Sequence, residues 1–199
     1  MSQNLLKRII TSIILLILFF FINFSHQYIF ILSILLLGIV ICVEANKIFS
    51  KLISSQTLKK NSLSKTFNPE FFILNVMTFF YIFFIFCNLS YKIHKSEGSI
   101  FFLYIISICF LTDIGGYVFG KLIGGKRLSK ISPNKTISGT IGSFIFSIFP
   151  LIIFLNLGYL NLEFDLNNIL LCLLVSLISQ LGDLFISFFK RKAKIKDTG

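Results

Sequence analysis

The 199-residue chain has no tryptophan, two histidines, three prolines and only eight acidic residues. With 12 glycines against 26 phenylalanines, a collagen-like repeat and a disordered chain are both excluded. Charged residues make up 14%, where a soluble domain carries about a quarter. There is no CxxC pair. Cys42, Cys87, Cys109 and Cys172 stand singly inside apolar runs, as small hydrophobes do, so neither a disulfide scaffold nor a zinc or dithiol site is indicated. What is present in excess is apolar surface: 55% hydrophobic residues and a mean hydropathy of +0.88 mark a polytopic membrane protein.

Apolar runs cover approximately Ile9–Phe24, Tyr28–Val43, Phe71–Leu89, Ile100–Phe119, Thr140–Leu160 and Asn168–Phe189. Each is close to the ~20 residues that a helix rising ~1.5 Å per residue needs to cross ~30 Å of hydrocarbon, although the first two are short. The expected fold is therefore all-α, a single integral membrane domain over residues 1–199 with about six transmembrane helices. Lys7-Arg8 ahead of the first run resembles a secretory signal, but no small-x-small site follows, so the segment reads as an uncleaved span. The Ser-, Lys- and Asn-rich stretch Asn46–Pro69 reads as a solvated linker.

The net charge of +11 is a matter of placement. With alternate loops on alternate sides, all but Lys92 and Lys95 of the 19 Lys and Arg residues fall on one face of the membrane. The positive-inside rule makes that face, and both termini, cytoplasmic, in the inner membrane if the source is a bacterium. The basic charge then signals topology and affinity for anionic headgroups or an anionic substrate. No nucleic-acid partner is expected.

Acidic residues locate the chemistry. Only Asp113 and Asp183 interrupt long apolar stretches. An ionised carboxylate at mid-bilayer costs about 2.5–3.5 kcal/mol on insertion scales, so each is a functional candidate. At helical spacing Ser176, Ser179, Gln180, Asp183, Ser187, Lys190 and Arg191 share one face of the last helix, which must meet a polar cavity or partner because lipid cannot satisfy it. Asp183 lies about 10 Å in from Lys190 at 1.5 Å per residue, a shallow, inward-open position. A carboxylate beside hydroxyls and an amide suits Mg²⁺. Asp113 sits at similar depth before Lys121. Gly116, Gly120 and Gly124 follow at intervals of four, a pattern of close helix packing. The loop from Gly124 to Gly139 then combines cations, hydroxyls and glycines just before a helix, the makings of a polyphosphate cradle of backbone N–H groups and lysine. It is not a Walker A loop.

Ser132-Pro133-Asn134-Lys135-Thr136-Ile137-Ser138-Gly139 resembles the S-P-x-K-T-x-x-G segment of phosphatidate cytidylyltransferases, the CDP-diacylglycerol synthases. Thr112–Lys121 resembles their D-x-G-A-Y-x-x-G-[KR] segment. Ser179-Gln180-Leu181-Gly182-Asp183-Leu184, with Ser187, Lys190-Arg191 and Lys196-Asp197-Thr198-Gly199, is similar to the start of the family signature S-x-x-G-D-L-x-x-S-x-x-K-R-x-x-x-x-K-D-x-G. The resemblance is strong over Thr112–Gly199 and rests on hydropathy before that. Ser138 stands where the family usually has Glu or Gln, and Gly116 where it prefers Ala.

The resemblance implies the reaction of CTP with phosphatidate to give CDP-diacylglycerol and pyrophosphate, in phospholipid biosynthesis. It implies Asp183 as the Mg²⁺ ligand, Asp113 as a group positioning nucleotide or metal, and Lys135 and Thr136 as binders of CTP phosphates. Lys190 and Arg191 are implied to neutralise phosphate, with Lys121, Ser132, Pro133, Gly139, Ser179, Gln180, Gly182, Ser187, Lys196 and Asp197 completing the substrate site. A homodimer is compatible with it. It further implies that the family domain continues past Gly199 with a second metal-binding carboxylate, so that residues 1–199 alone are expected not to turn over. Two alternatives stay open: a CTP-dependent membrane kinase acting on a polyprenol, and a non-catalytic transporter or scaffold.

The charge distribution generates a topology test. In a cysteine-free background, an impermeant thiol reagent applied from outside should label a cysteine at Ser96 and spare one at Ser129. The reverse pattern contradicts the orientation.

Overall fold

A computed structural model describes residues 3–60, 69–129, 132, 135–158, 160 and 162–193. Helix α1 spans Gln3–Phe24 and α2 spans Gln27–Lys60. One continuous rod follows, made of α3 (Pro69–Phe80), a π-helical stretch (Tyr81–Cys87) and α4 (Asn88–Ser96). Then come α5 (Gly98–Leu122), α6 (Ile137–Ser147), α7 (Phe149–Leu157) and α8 (Leu166–Lys192). Among the described residues five stretches are long and apolar enough to span a bilayer: Gln27–Leu52, Phe71–Ser96, Gly98–Leu122, Ile137–Leu157 and Leu166–Lys192. Ile10–Phe24 is a shorter apolar helix. The chain is an all-α polytopic membrane bundle, and its outward faces expose large apolar side chains such as Ile17, Phe21, Leu36, Phe84, Ile178 and Phe185, as a lipid environment requires.

Local sequence explains the breaks. Pro150, lacking an N–H, separates α6 from α7 near the middle of one span, and Gly158 at φ 66° caps α7 in the left-handed conformation that its hydrogen bonds to Phe154 and Leu155 require. Asp165 caps α8, accepting from the N–H of Asn168 at 2.9 Å.

Two sequence expectations change. The linker expected over Asn46–Pro69 is helical as far as Lys60, since nothing from Ala45 to Lys60 is Gly or Pro and the run carries four Lys and two Leu, good helix formers. One side of this extension is not solvated: Ile48, Phe49 and Leu52 are buried against Ala193, with Phe71, Leu74 and Phe189 around them. The connection between the apolar runs ending at Leu89 and starting at Ile100 is likewise helix to Ser96, leaving a tight turn at Glu97 and Gly98, where Gly98 has φ 87°.

Two interactions fix the bundle's centre. Tyr104, Ile108, Leu151, Phe154 and Cys172 form the core shared by α5, α7 and α8, with Tyr104 Oη 3.1 Å from Cys172 Sγ. Between α5 and α6 the contact is backbone on backbone. A Cβ on Gly139 would lie 2.7 Å from the Gly116 carbonyl, and one on Gly116 would lie 2.7 Å from Ser143 Oγ. At Gly142 the Gly115 carbonyl would be 2.8 Å away, with Phe119 closer still. Gly116 and Gly120 of the expected pattern are thus helix packing, matched by Gly139 and Gly142 on α6, whereas Gly124 lies beyond α5 with nothing within 4 Å of an added Cβ. Ser143 Oγ secures the contact by donating to the Thr112 carbonyl at 2.9 Å.

Stability should follow this division. Gly142→Ala should destabilise by about 1–3 kcal/mol through overpacking. Gly182→Ala, in a helix with nothing within 4 Å of the added carbon, should be neutral or stabilising, by up to about 1 kcal/mol. Thermal unfolding in detergent reads both; equal effects would remove the packing argument.

Candidate active site

The α5–α6 contact positions a cavity of about 230 Å³ near one end of the bundle. α5 contributes Asp113, Gly116 and Tyr117; the loop before α6 contributes Lys135 and the cap Thr136, and α6 contributes Gly139, Thr140 and Ser143; α8 contributes Gln180 and Asp183. Three segments separated in sequence therefore converge. Lys135 Nζ donates to Asp183 Oδ2 at 2.9 Å, with the side chains 31% and 54% exposed. Gln180 Nε2 donates to the buried Ser176 hydroxyl at 3.2 Å, one turn earlier on α8.

The loop that presents Lys135 is shaped by its own hydrogen bonds. Gly124 and Gly125, at φ 65° and 101°, turn the chain out of α5. It returns as a short antiparallel pairing of Arg127 with Thr136, in which Leu128 N–H donates to the Lys135 carbonyl at 2.8 Å and Ile137 N–H to the Lys126 carbonyl at 3.1 Å. Thr136 caps α6 by accepting from Gly139 N–H at 3.1 Å. The Ser138 hydroxyl donates to the Gly124 carbonyl and lies 3.0 Å from Thr136 Oγ1. Ser132 ties the loop further, its N–H donating to Ser129 Oγ and its carbonyl accepting from Lys135 N–H, both at 3.2 Å.

These bonds refine the expected cradle. The first-turn N–H groups of Ile137 and Gly139 are engaged within the protein, so anion binding here rests on Lys135 and side-chain hydroxyls more than on open amides.

Of the other expected site residues, Thr136, Gly139 and Gln180 line the cavity. Lys121 reaches Tyr117 Oη at 3.4 Å, with its Nζ 5.6 Å above that ring, and so borders the cavity through Tyr117. Ser179, Gly182, Ser187, Lys190 and Arg191 do not line it: Ser179, Ser187 and Lys190 are half-buried, Gly182 is exposed between the lining residues Gln180 and Asp183, and Arg191 is exposed farther along α8. Pro133, Lys196 and Asp197 lie outside the described residues. Tyr117, Thr140 and Ser143 were not anticipated as lining residues. Thr140 and Ser143 follow Thr136 at helical intervals of four and seven, a polar stripe readable in the sequence.

Chemically, the cavity offers two carboxylates, three hydroxyls on α6 and an amide: hard oxygen donors of the kind Mg²⁺ takes, with one lysine among them. Among the described residues no three His, Cys, Asp or Glu side chains cluster tightly enough to hold a metal by themselves. A divalent ion bound here would draw its remaining ligands from water or substrate phosphate.

A family model described as the Cytidylyltransferase family matches residues 47–199, which include every segment that lines this cavity. The chain belongs to the cytidylyltransferase family. Among curated relatives it is similar to a phosphatidate cytidylyltransferase of Staphylococcus haemolyticus (strain JCSC1435), 42% identical over 106 residues, covering 53% of this chain and 40% of the relative. A phosphatidate cytidylyltransferase of Staphylococcus aureus (strain COL) is 45% identical over 109 residues with the same coverage, and one of Staphylococcus saprophyticus is 39% identical over 107 residues. The match thus spans about 40% of the length of these cytidylyltransferases. No solved structure matches.

The exposure of the Lys135–Asp183 pair carries a prediction. An ion pair this accessible contributes only about 0–1 kcal/mol. Lys135→Ala and Asp183→Asn should each leave thermal unfolding in detergent within about 1 kcal/mol of the parent. A loss of several kcal/mol in either would make the pair a structural staple.

Proposed function

We propose that this cytidylyltransferase-family chain carries the nucleotide and metal site of a phosphatidate cytidylyltransferase. The observation that supports this best is the meeting of Asp113, Lys135 and Asp183, from three separate segments, in one cavity. In the reaction a phosphate oxygen of phosphatidate attacks the α-phosphorus of CTP. The bond from that phosphorus to the β-bridging oxygen breaks, and pyrophosphate leaves. Two polyanions must be brought together and aligned, so charge neutralisation and positioning are the main demands.

Lys135 is placed for the first demand. Its loop is braced by the Arg127–Thr136 pairing, and its ammonium is the cation that lines the cavity. A nucleotide triphosphate entering the cavity competes with Asp183 for it. Asp183 would hold Mg²⁺, with Asp113 facing the same cavity, and a bound Mg²⁺ supplies further neutralisation of the triphosphate. Thr136 and Thr140 offer hydroxyls to phosphate oxygens, and Gln180 offers an amide. Lys190 and Arg191, farther along α8, suit the phosphate of a lipid approaching from the bilayer surface. The site lies on the cytoplasmic side of a bacterial inner membrane, where CTP is available, as the positive-inside distribution supports.

The test is CTP turnover by the full-length protein reconstituted with phosphatidate and Mg²⁺. Pyrophosphate and CDP-diacylglycerol should form in equal amounts; release of CDP with a phosphorylated lipid would instead establish a kinase. Lys135→Ala should reduce kcat/KM for CTP about ten- to a hundredfold, as expected for a lost charge-assisted contact. Asp183→Asn should lose nearly all transfer while remaining folded in the membrane. Lys47→Ala, exposed on α2 and away from the cavity, should change nothing.

A further inference from the structure

The end of the bundle opposite the candidate site carries a feature that the proposed reaction does not use. α5 begins at Gly98, and at ~1.5 Å per residue Asp113 lies about 22 Å farther along it. Lys92 and Lys95, near the end of α4, belong to the Gly98 end and are exposed. Neither has an acidic partner among the described residues; Lys95 Nζ rests 5.8 Å above the Tyr91 ring. Charges on this side run against the distribution of every other Lys and Arg in the chain.

Both lysines open onto one groove. It has a volume of about 760 Å³, an apolar floor of Phe84, Ile85 and Leu89, and a polar rim of Asn88, Tyr91, Lys92, Lys95 and Ser96. A second groove of about 330 Å³ runs along the other flank of the same rod, between it and α2, lined by Ile31, Ile34, Leu35, Phe83 and Cys87. It too ends on Asn88 and Tyr91. The residues between the grooves come from the π-helical stretch Tyr81–Cys87. Its wider turn is an irregularity of the kind that tends to accompany binding sites. Two apolar channels therefore meet beneath one cationic, hydrogen-bonding rim.

We infer that these grooves bind one anionic phospholipid of the leaflet opposite the candidate site. Its phosphate lies against Lys92 and Lys95, and one acyl chain lies in each groove. Charge complementarity selects the lipid. The groove is lined by two lysines and no carboxylate, Glu97 lying outside it in the turn after α4, and so attracts a net-negative headgroup, whereas a zwitterionic one brings its own ammonium to the same rim. The inference is independent of the reaction proposed above, because it uses neither its residues nor its side of the membrane.

Native mass spectrometry of the purified full-length protein, exchanged against an equimolar mixture of phosphatidylglycerol and phosphatidylcholine, tests it. The parent protein should retain phosphatidylglycerol preferentially. Lys92→Gln with Lys95→Gln should lower that preference about tenfold, and Lys92→Arg with Lys95→Arg should restore it. Each single Gln variant, milder for folding, should lower it about threefold. Loss of the preference with Lys190→Gln and Arg191→Gln combined, the residues proposed above for lipid phosphate, and not with the Lys92 and Lys95 variants would assign the lipid to the candidate active site and overturn the inference. A parent protein that is dimeric and becomes monomeric on the double Gln substitution, with no change in lipid retention, would overturn it in favour of a second copy in the grooves.

Discussion

Direct contact between the backbones of α5 and α6 is the constraint on which the rest of the site depends. Within a bilayer there is no hydrophobic gain in pressing one apolar helix on another, so close approach must come from small residues that let main chains touch. Gly115 and Gly116 face Gly139 and Gly142, and any side chain at these positions would strike a carbonyl oxygen, a hydroxyl or a phenyl ring. That approach sets the width of the cavity between Asp113 on one helix and Thr136, Thr140 and Ser143 on the other. It also brings Thr136, the cap of α6, against Gly120, where an added Cβ would lie 3.2 Å from Thr136 Oγ1. Lys135 precedes that cap, so its reach toward Asp183 is inherited from the packing of two glycine-lined helices.

The second layer is electrostatic. Two carboxylates close to a membrane interior need a counter-charge, and Lys135 supplies it to Asp183 at 2.9 Å. Because the pair is partly exposed, its contribution to stability is small and its exchange with other ions is cheap. Those properties suit the proposed reaction, in which a polyanion and a divalent cation would enter together, each binding one partner of the resting pair.

Much of this was legible in the sequence, for identifiable reasons. Hydropathy located the spans because the bilayer fixes their length. Asp113 and Asp183 stood out because charge is costly in hydrocarbon, and Lys135 because it lies in a loop of characteristic composition before a helix. What could not be read was contact across distance. Lys135 and Asp183 are 48 residues apart, and no local pattern joins them. In the stretch Asn46–Pro69 polar composition masks good helix formers and the apolar side formed by Ile48, Phe49 and Leu52. Attention to carboxylates alone also passed over Asn23, fully buried at the end of α1, whose amide donates to the Ser99 carbonyl at 3.0 Å. His94 Nε2 lies 3.0 Å from both the Asn23 carbonyl and Ser99 Oγ, joining α1, α4 and α5 at the end away from the cavity.

The central claim is that the Lys135–Asp183 pair is reaction machinery and not a brace between α6 and α8. Exchanging the two residues, with Lys135→Asp and Asp183→Lys combined in the full-length protein, separates these roles directly, since a brace works in either polarity and a site built to receive phosphate at one position and a cation at the other does not. Pyrophosphate release from CTP and phosphatidate is the quantity to measure, with thermal unfolding as the control. The expected result is an unfolding temperature within about 4 °C of the parent and no detectable pyrophosphate release. Turnover close to that of the parent in the exchanged protein would contradict it.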